Sequence, residues 1–134
     1  MKRLRLPRPY YEAMLAQLAD AYPLEACGLM AGRDGLVTQL YPVSNILRSP
    51  YAYEMDPHEQ LRAILEMEAA GWELLAIYHS HPRGPQVPSA TDVERAYYPE
   101  AAWLIVSLAE QSQPVVRAFT IIDGQVDEII LAIV

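Results

Sequence analysis

The sequence predicts an α/β fold, a mixed β-sheet flanked by helices, and three observations lead there. Stretches with helical spacing of apolar residues are inserted among short β-branched and apolar runs. Asp34-Gly35 and Asp123-Gly124 mark tight hairpins near the two ends. No repeat, low-complexity tract or domain linker divides the chain, so its 134 residues read as a single domain, 1–134. That length buries roughly two-thirds of the surface the unfolded chain would expose, enough to hold a core without staples.

The elements follow in order. Leu4 and Leu6 sit in a short alternating strand, and Pro7 and Pro9 open a helix that runs to about Ala21. Tyr10, Met14, Leu15 and Leu18 form its apolar stripe, and Pro23 stops it. Leu24 to Gly32 reads as a buried strand that carries Glu25 in the interior or at its edge, with Leu36 to Val43 returning antiparallel to it. Tyr51 to Met55 alternates as a further strand. Asp56-Pro57 supplies an N-cap and a first-turn proline for a helix over Pro57 to Ala70, with Leu61, Ile64, Leu65 and Glu68 on one side and Gly71 at its end.

Glu73 to Tyr78 is apolar enough for a central strand that delivers His79 and His81 at its end. Arg83 to Pro88, with one glycine and two prolines, makes a stiff returning loop. Ser89 caps a helix to about Tyr98, which Pro99 ends. Ala102 to Leu108, Val115 to Ile122 and Val126 to Ile133 close the chain as strands.

Composition bounds the function. Hydrophobic residues at 52% and charged residues at 20% exclude a disordered chain. Ten basic against 17 acidic residues give a net charge of −7, which argues against nucleic acid or an anionic membrane as partner, since phosphate contacts need clustered Lys and Arg. No apolar window approaches the ~18 to 20 residues of a membrane helix, and no apolar segment follows the basic start as in a signal peptide. A cytoplasmic protein is expected. Cys27 is the only cysteine, so an internal disulfide and a multi-thiolate zinc site are both excluded.

Tyr78-His79-Ser80-His81-Pro82 carries the chemistry. Histidines two apart on a strand point to the same side, and Asp92 follows at the mouth of the next helix, where its carboxylate can complete a site of two nitrogens and one oxygen. Zinc held by three protein ligands keeps a fourth position for water and lowers that water's pKa to about 7. Each residue also has a plainer explanation. An isolated His-x-His is as often a satisfied polar pair, and Ser89 with Asp92 three residues on resembles a capping box. Glu25, from the residues alone, is a carboxylate beside a hairpin; Cys27 is a small hydrophobe more readily than a nucleophile. His58, in a first helical turn, should face solvent.

The composite resembles the JAMM, or MPN-plus, metalloprotease family. That pattern is an upstream Glu, then His-x-His-Pro, then Ser-x-x-Asp, with ten residues between the second His and the Asp, here Pro82 to Thr91. Asp56-Pro57-His58-Glu59-Gln60-Leu61-Arg62, Gly71 and Cys27-Gly28 extend the likeness to the small prokaryotic branch. The resemblance implies a cytidine-deaminase-like fold, with His79, His81 and Asp92 as ligands of one Zn2+ that carries a water. It further implies Glu25 as acid and base, and Ser89 as hydrogen-bond donor to the oxyanion. The implied activity is peptidase or isopeptidase cleavage after the C-terminal Gly-Gly tail of a small ubiquitin-like or sulfur-carrier protein, releasing a protein conjugate or a C-terminal cysteine adduct. Which modifier is used, and whether the chain forms a homo-oligomer, stay open. A different class, a non-catalytic scaffold module of the same fold that binds ubiquitin-like partners, is disfavoured because every ligand is present. A zinc nucleobase deaminase would need a Pro-Cys-x-x-Cys pair that one cysteine cannot supply.

Overall fold

A computed structural model describes residues 1–134. In chain order the elements are β1 (Arg3–Leu6), α1 (Arg8–Ala21), β2 (Cys27–Arg33), β3 (Leu36–Val43), α2 (Pro57–Ala70), β4 (Glu73–His81), α3 (Ala90–Glu94), β5 (Ala102–Ser107), β6 (Val115–Ile122) and β7 (Gln125–Ile133). The sheet is mixed, as expected, and it closes on itself in the order β1-β3-β2-β4-β5-β6-β7. Closure comes from β1, which runs parallel to β7 from Arg3↔Ile130 to Leu6↔Ile133 and touches β3 at Arg5↔Leu36.

Side-chain alternation divides the core in two. Met30, Ala76, Tyr78, Leu104 and Val106 face α1, whose Met14 and Leu18 join the same cluster. Cys27, Leu29, Ile77 and Trp103 face the other way and meet Ala63 and Met67 of α2. At roughly 25 cal/mol per Å2 of apolar surface, each fully buried Leu or Met contributes about 1.5 to 3 kcal/mol. The two clusters therefore enclose β4, which is buried on both faces from Leu75 to His81.

Gly28 lies opposite Tyr78 in the β2–β4 register. A Cβ there would stand 2.2 Å from Tyr78 Oη, so only glycine lets the tyrosine ring lie across β2. Asp56 caps α2 by accepting from the backbone N–H groups of His58 and Glu59, and Gly71 ends it in the left-handed region at φ 72°. No helix is long and apolar enough to cross a membrane.

Four expectations need correction. Tyr51 to Met55 is no strand; only Met55 pairs, in an isolated bridge with Asn45. The buried residues of α2 are Ala63 and Met67, while Leu61 and Leu65 are 56% and 55% exposed. The small Ala63 lets α2 approach the sheet closely and turns the larger leucines outward. The third helix ends at Glu94 rather than Tyr98, where Ala96 and Tyr98 pack onto the cluster around Trp103. Finally, β2 begins at Cys27, so Leu24 to Ala26 lie outside the sheet, whereas β4 extends through both histidines.

Candidate active site

His79 and His81 occupy the last three residues of β4 with Ser80 between them, and their period-two spacing turns both rings to the α2 side of the sheet. Both are buried. Their Nε2 atoms stand 3.0 Å apart, and each lies 3.2 Å from Asp92 Oδ2. Donors of a tetrahedral zinc with bonds of about 2.0 to 2.1 Å stand about 3.3 to 3.4 Å apart. The observed triangle thus matches one face of such a site in size, and its two nitrogens and one carboxylate oxygen are a donor set that suits zinc.

Second partners orient each ligand. His81 Nδ1 lies 2.8 Å from the Pro85 carbonyl oxygen, which can only accept, so the ring proton sits on Nδ1 and the lone pair of Nε2 points inward. The His79 ring is covered by Tyr53, ring centroids 4.4 Å apart. Its Nδ1 is buried without a hydrogen-bond partner. Asp92 Oδ2 accepts from the Ser89 backbone N–H at 2.8 Å, while Ser89 Oγ accepts from the Asp92 N–H at 3.1 Å. The capping box and the ligand set therefore coexist on one carboxylate oxygen, which has a lone pair for each. Ser89 Oγ–H remains free to donate.

Burial alone would raise the Asp92 carboxyl, but hydrogen bonds from His79, His81 and the Ser89 N–H outweigh it and hold Asp92 well below the usual carboxylate range. Burial lowers His79, against the opposing pull of Asp92. For His81 burial also lowers, yet the hydrogen bonds to Asp92 and the Pro85 carbonyl prevail and raise it.

Glu25 is 7% exposed and lines the same cleft as His81, Ser89 and Asp92, a space of about 830 Å3. It stands outside the three-atom ligand cluster. Burial pushes its carboxyl up to about 7, with the Asp92 charge adding and His81 opposing. This is the range of a group that can both take and return a proton near neutrality. Its approach to residues 54 positions away is made by Ser80, whose Oγ accepts from the Ala26 N–H at 3.0 Å and whose own N–H donates to the Ala26 carbonyl at 2.9 Å.

Cys27 pairs with His79 across β2 and β4. Burial pushes its thiol up to about 12, with the Glu25 and Glu59 charges adding, and Sγ contacts the Val43 carbonyl at 3.4 Å. A thiol held protonated is no nucleophile, so Cys27 serves as the small core residue expected. His58 is exposed on α2, also as expected. Sequence reasoning missed two residues. Ser80 passed as the spacer of His-x-His, although its even parity, opposite to the histidines, marks it as facing another segment. Tyr53 lies in the run expected to be a strand, and nothing local signals that its ring covers His79.

Comparison with known proteins agrees with this geometry. Residues 7–122 match the family model for prokaryotic homologs of the JAB domain. The chain is 38% identical over 118 residues to the CysO-cysteine peptidase of Mycobacterium tuberculosis, covering 87% of this chain and 81% of that one. It is 46% identical over 88 residues to the desampylase of Haloferax volcanii, 63% of each chain. A solution structure of a protein from Desulfitobacterium hafniense superposes with a TM-score of 0.87 at 42% identity, over 98% of this chain and 92% of that one. With the His-His-Asp cluster on β4 and α3 and a family match across most of its length, the chain belongs to the prokaryotic JAB family.

Proposed function

We propose that this chain is a zinc-dependent peptidase that hydrolyses the bond after the C-terminal Gly-Gly tail of a small ubiquitin-like or sulfur-carrier protein, freeing it from a protein conjugate or a C-terminal cysteine. The observation that carries the reading is the 3.0 to 3.2 Å triangle of His79, His81 and Asp92, open to a cleft that Glu25 and Ser89 also line. The names of two relatives, a CysO-cysteine peptidase and a desampylase, support the substrate class. A cytoplasmic setting fits a chain whose single thiol is buried and unpaired.

His79 and His81 would hold the metal through Nε2 and Asp92 through Oδ2, one ion per chain with a water. Zinc in that position supplies a Lewis acid and a water acidified to about pKa 7. Glu25 accepts a proton from the attacking water and returns it to the leaving nitrogen, so the amide bond breaks with no net proton change at the enzyme. Ser89 Oγ–H donates to the oxygen that gains charge at the scissile carbonyl.

The cleft also offers a place for an extended tail. Ala52 and Glu54 turn their backbone groups toward Asn45 and Ile46, whereas the N–H and C=O of Tyr53, on the alternate side, carry no hydrogen bond. An extended Gly-Gly segment has free main-chain groups to pair there and no side chains to obstruct the approach.

The test is incubation of the zinc-loaded protein with small Gly-Gly-ending proteins that carry either a C-terminal cysteine or a peptide extension, read by intact mass. Cleavage after the second glycine, abolished by a chelator and restored by zinc, is expected. Zinc binding without cleavage of any such protein points instead to a scaffold module.

A further inference from the structure

Glu25 lies outside the sheet and is held there by backbone bonds on either side of it. We infer that Asn45 is a positioning residue for the hydrolysis proposed above, one that fixes the general base and the tail-binding edge relative to each other. The inference rests on that reading of the site.

The Asn45 side chain uses its full hydrogen-bonding capacity. Nδ2 donates to the Glu25 carbonyl at 3.0 Å and to the Ala52 carbonyl at 3.1 Å. Oδ1 accepts from the Leu47 N–H at 3.1 Å and the Glu54 N–H at 3.0 Å. One amide thus stands where a neighbouring strand would stand for residues 52 to 54, and with its other hand holds the backbone of Glu25. The Glu25 N–H adds a second tie to the same loop, donating to Ser49 O at 2.9 Å.

Glu25 is consequently strung between two anchors. Ser80 fixes Ala26 against the strand that bears the histidines, and Asn45 fixes Glu25 against the loop whose far edge is the free Tyr53 backbone. Packing does not back up the second anchor. A further cavity of about 600 Å3 lies behind the segment, lined by Leu24, Glu25, Ala26 and Asn45 among others. If the amide is lost, Glu25 has room to move away from the cleft, and misplacement of a reacting group by about 1 Å costs on the order of a hundredfold in rate.

The amide chemistry is specific. Two of the four partners are carbonyl oxygens, which need donors, so a carboxylate of the same shape cannot replace it. Asn45→Asp keeps the volume and the Oδ1 acceptor and replaces the two donors with a charged oxygen that faces the Glu25 and Ala52 carbonyls.

The experiment compares the zinc-loaded full chain with its Asn45→Ala and Asn45→Asp variants on a small protein ending in Gly-Gly-Cys. It reads kcat, KM, zinc affinity and thermal midpoint. The expected result is a kcat lowered roughly ten- to a hundredfold and a KM raised several-fold, with zinc affinity within about threefold, because the ligands sit on β4 and α3. A residue that only supports the fold would lower the midpoint and leave kcat and KM unchanged below it; that pattern overturns the inference. Should Asn45→Ala not fold, Asn45→Asp is read in the same way. A wild-type chain that binds zinc and cleaves nothing overturns the reading of the site itself, whereas a cleaving wild type with kinetically unaltered variants overturns only the role of Asn45.

Discussion

Ser89 caps α3 and is proposed to donate to the substrate oxygen, and a pair of substitutions can separate the two. Its Oγ accepts the Asp92 N–H at 3.1 Å as helix cap, and its hydroxyl proton is free for the substrate oxygen. Ser89→Ala removes both. The cap costs about 1 kcal/mol of stability. With an unfolding entropy of about 2.1 cal/mol/K per residue, 134 residues convert that into a drop of about 3 to 4 °C in thermal midpoint. The lost oxyanion donor is worth about 3 kcal/mol, or roughly a hundredfold in kcat. Zinc affinity should change little, because the Ser89 backbone N–H that orients Asp92 Oδ2 survives the substitution.

Ser89→Gly supplies the control, since glycine at an N-cap gives up only a few tenths of a kcal/mol and brings no side-chain donor. It should recover most of the midpoint without recovering kcat. The assay is steady-state cleavage at saturating zinc, alongside a zinc titration and a melt for each variant. Turnover of Ser89→Ala within about threefold of wild type would refute the donor role. A fall in zinc affinity that matches the fall in turnover would assign the loss to Asp92 instead.

Glu25→Gln should bind zinc with near-native affinity and lose cleavage by on the order of a hundredfold or more, measured by metal titration and intact mass; undiminished cleavage removes Glu25 from the proton path. In the metal-free protein, the Glu25 carboxyl is raised from 4.5 to about 7 in the folded chain, so between those values the native state holds the extra proton. Stability from this group is therefore lost as pH rises from about 4.5 to about 7, by at most about 3 kcal/mol. Denaturant melts across that range should show a shallower dependence in Glu25→Gln, and an unchanged one speaks against the raised carboxyl. His81, raised above 6.5, must shed its proton to bind metal, so zinc affinity should weaken as pH falls through and below that region, which calorimetric titration can follow. Gly28→Ala should destabilise by about 1 to 3 kcal/mol because its Cβ would collide with Tyr78, and a neutral result in urea unfolding would mean the two strands separate easily.

Local patterns in the sequence were enough for much of this. The histidines fall on one face because strand periodicity is two, and α2 begins and ends at Asp56 and Gly71 because capping chemistry is local. Where long-range partners decide, the sequence is silent. Tyr51 to Met55 alternates like a strand but meets only the Asn45 side chain and one isolated bridge, with Ile46 N–H donating to the Glu54 carbonyl, in place of a strand ladder. Leu61 and Leu65 carry the stronger apolar signal on α2, yet the smaller Ala63 sets which face can approach the sheet. Glu25 reaches the cleft through bonds to Ser80 and Asn45, and neither residue type advertises such a partner. Closure of the sheet depends on β1 matching β7 from the opposite end of the chain.

That pairing makes the two ends of the polypeptide a clasp. Arg8 N–H donates to the Val134 carbonyl and Val134 N–H to the Leu6 carbonyl, so the hoop of strands is fastened by its first and last residues together. These contacts span nearly the whole chain, so pairing them closes the longest loop in the sheet. The histidine strand sits mid-hoop, away from the fastening, with β2 on one side and β5 on the other. Removing Arg3–Leu6 would bare the flanks of β3 and β7, and it would also withdraw Leu4 and Leu6, both fully buried, from the core cluster they share with Ala76 and Tyr78 of the histidine strand, so the fastening and the strand that carries the metal ligands share one core.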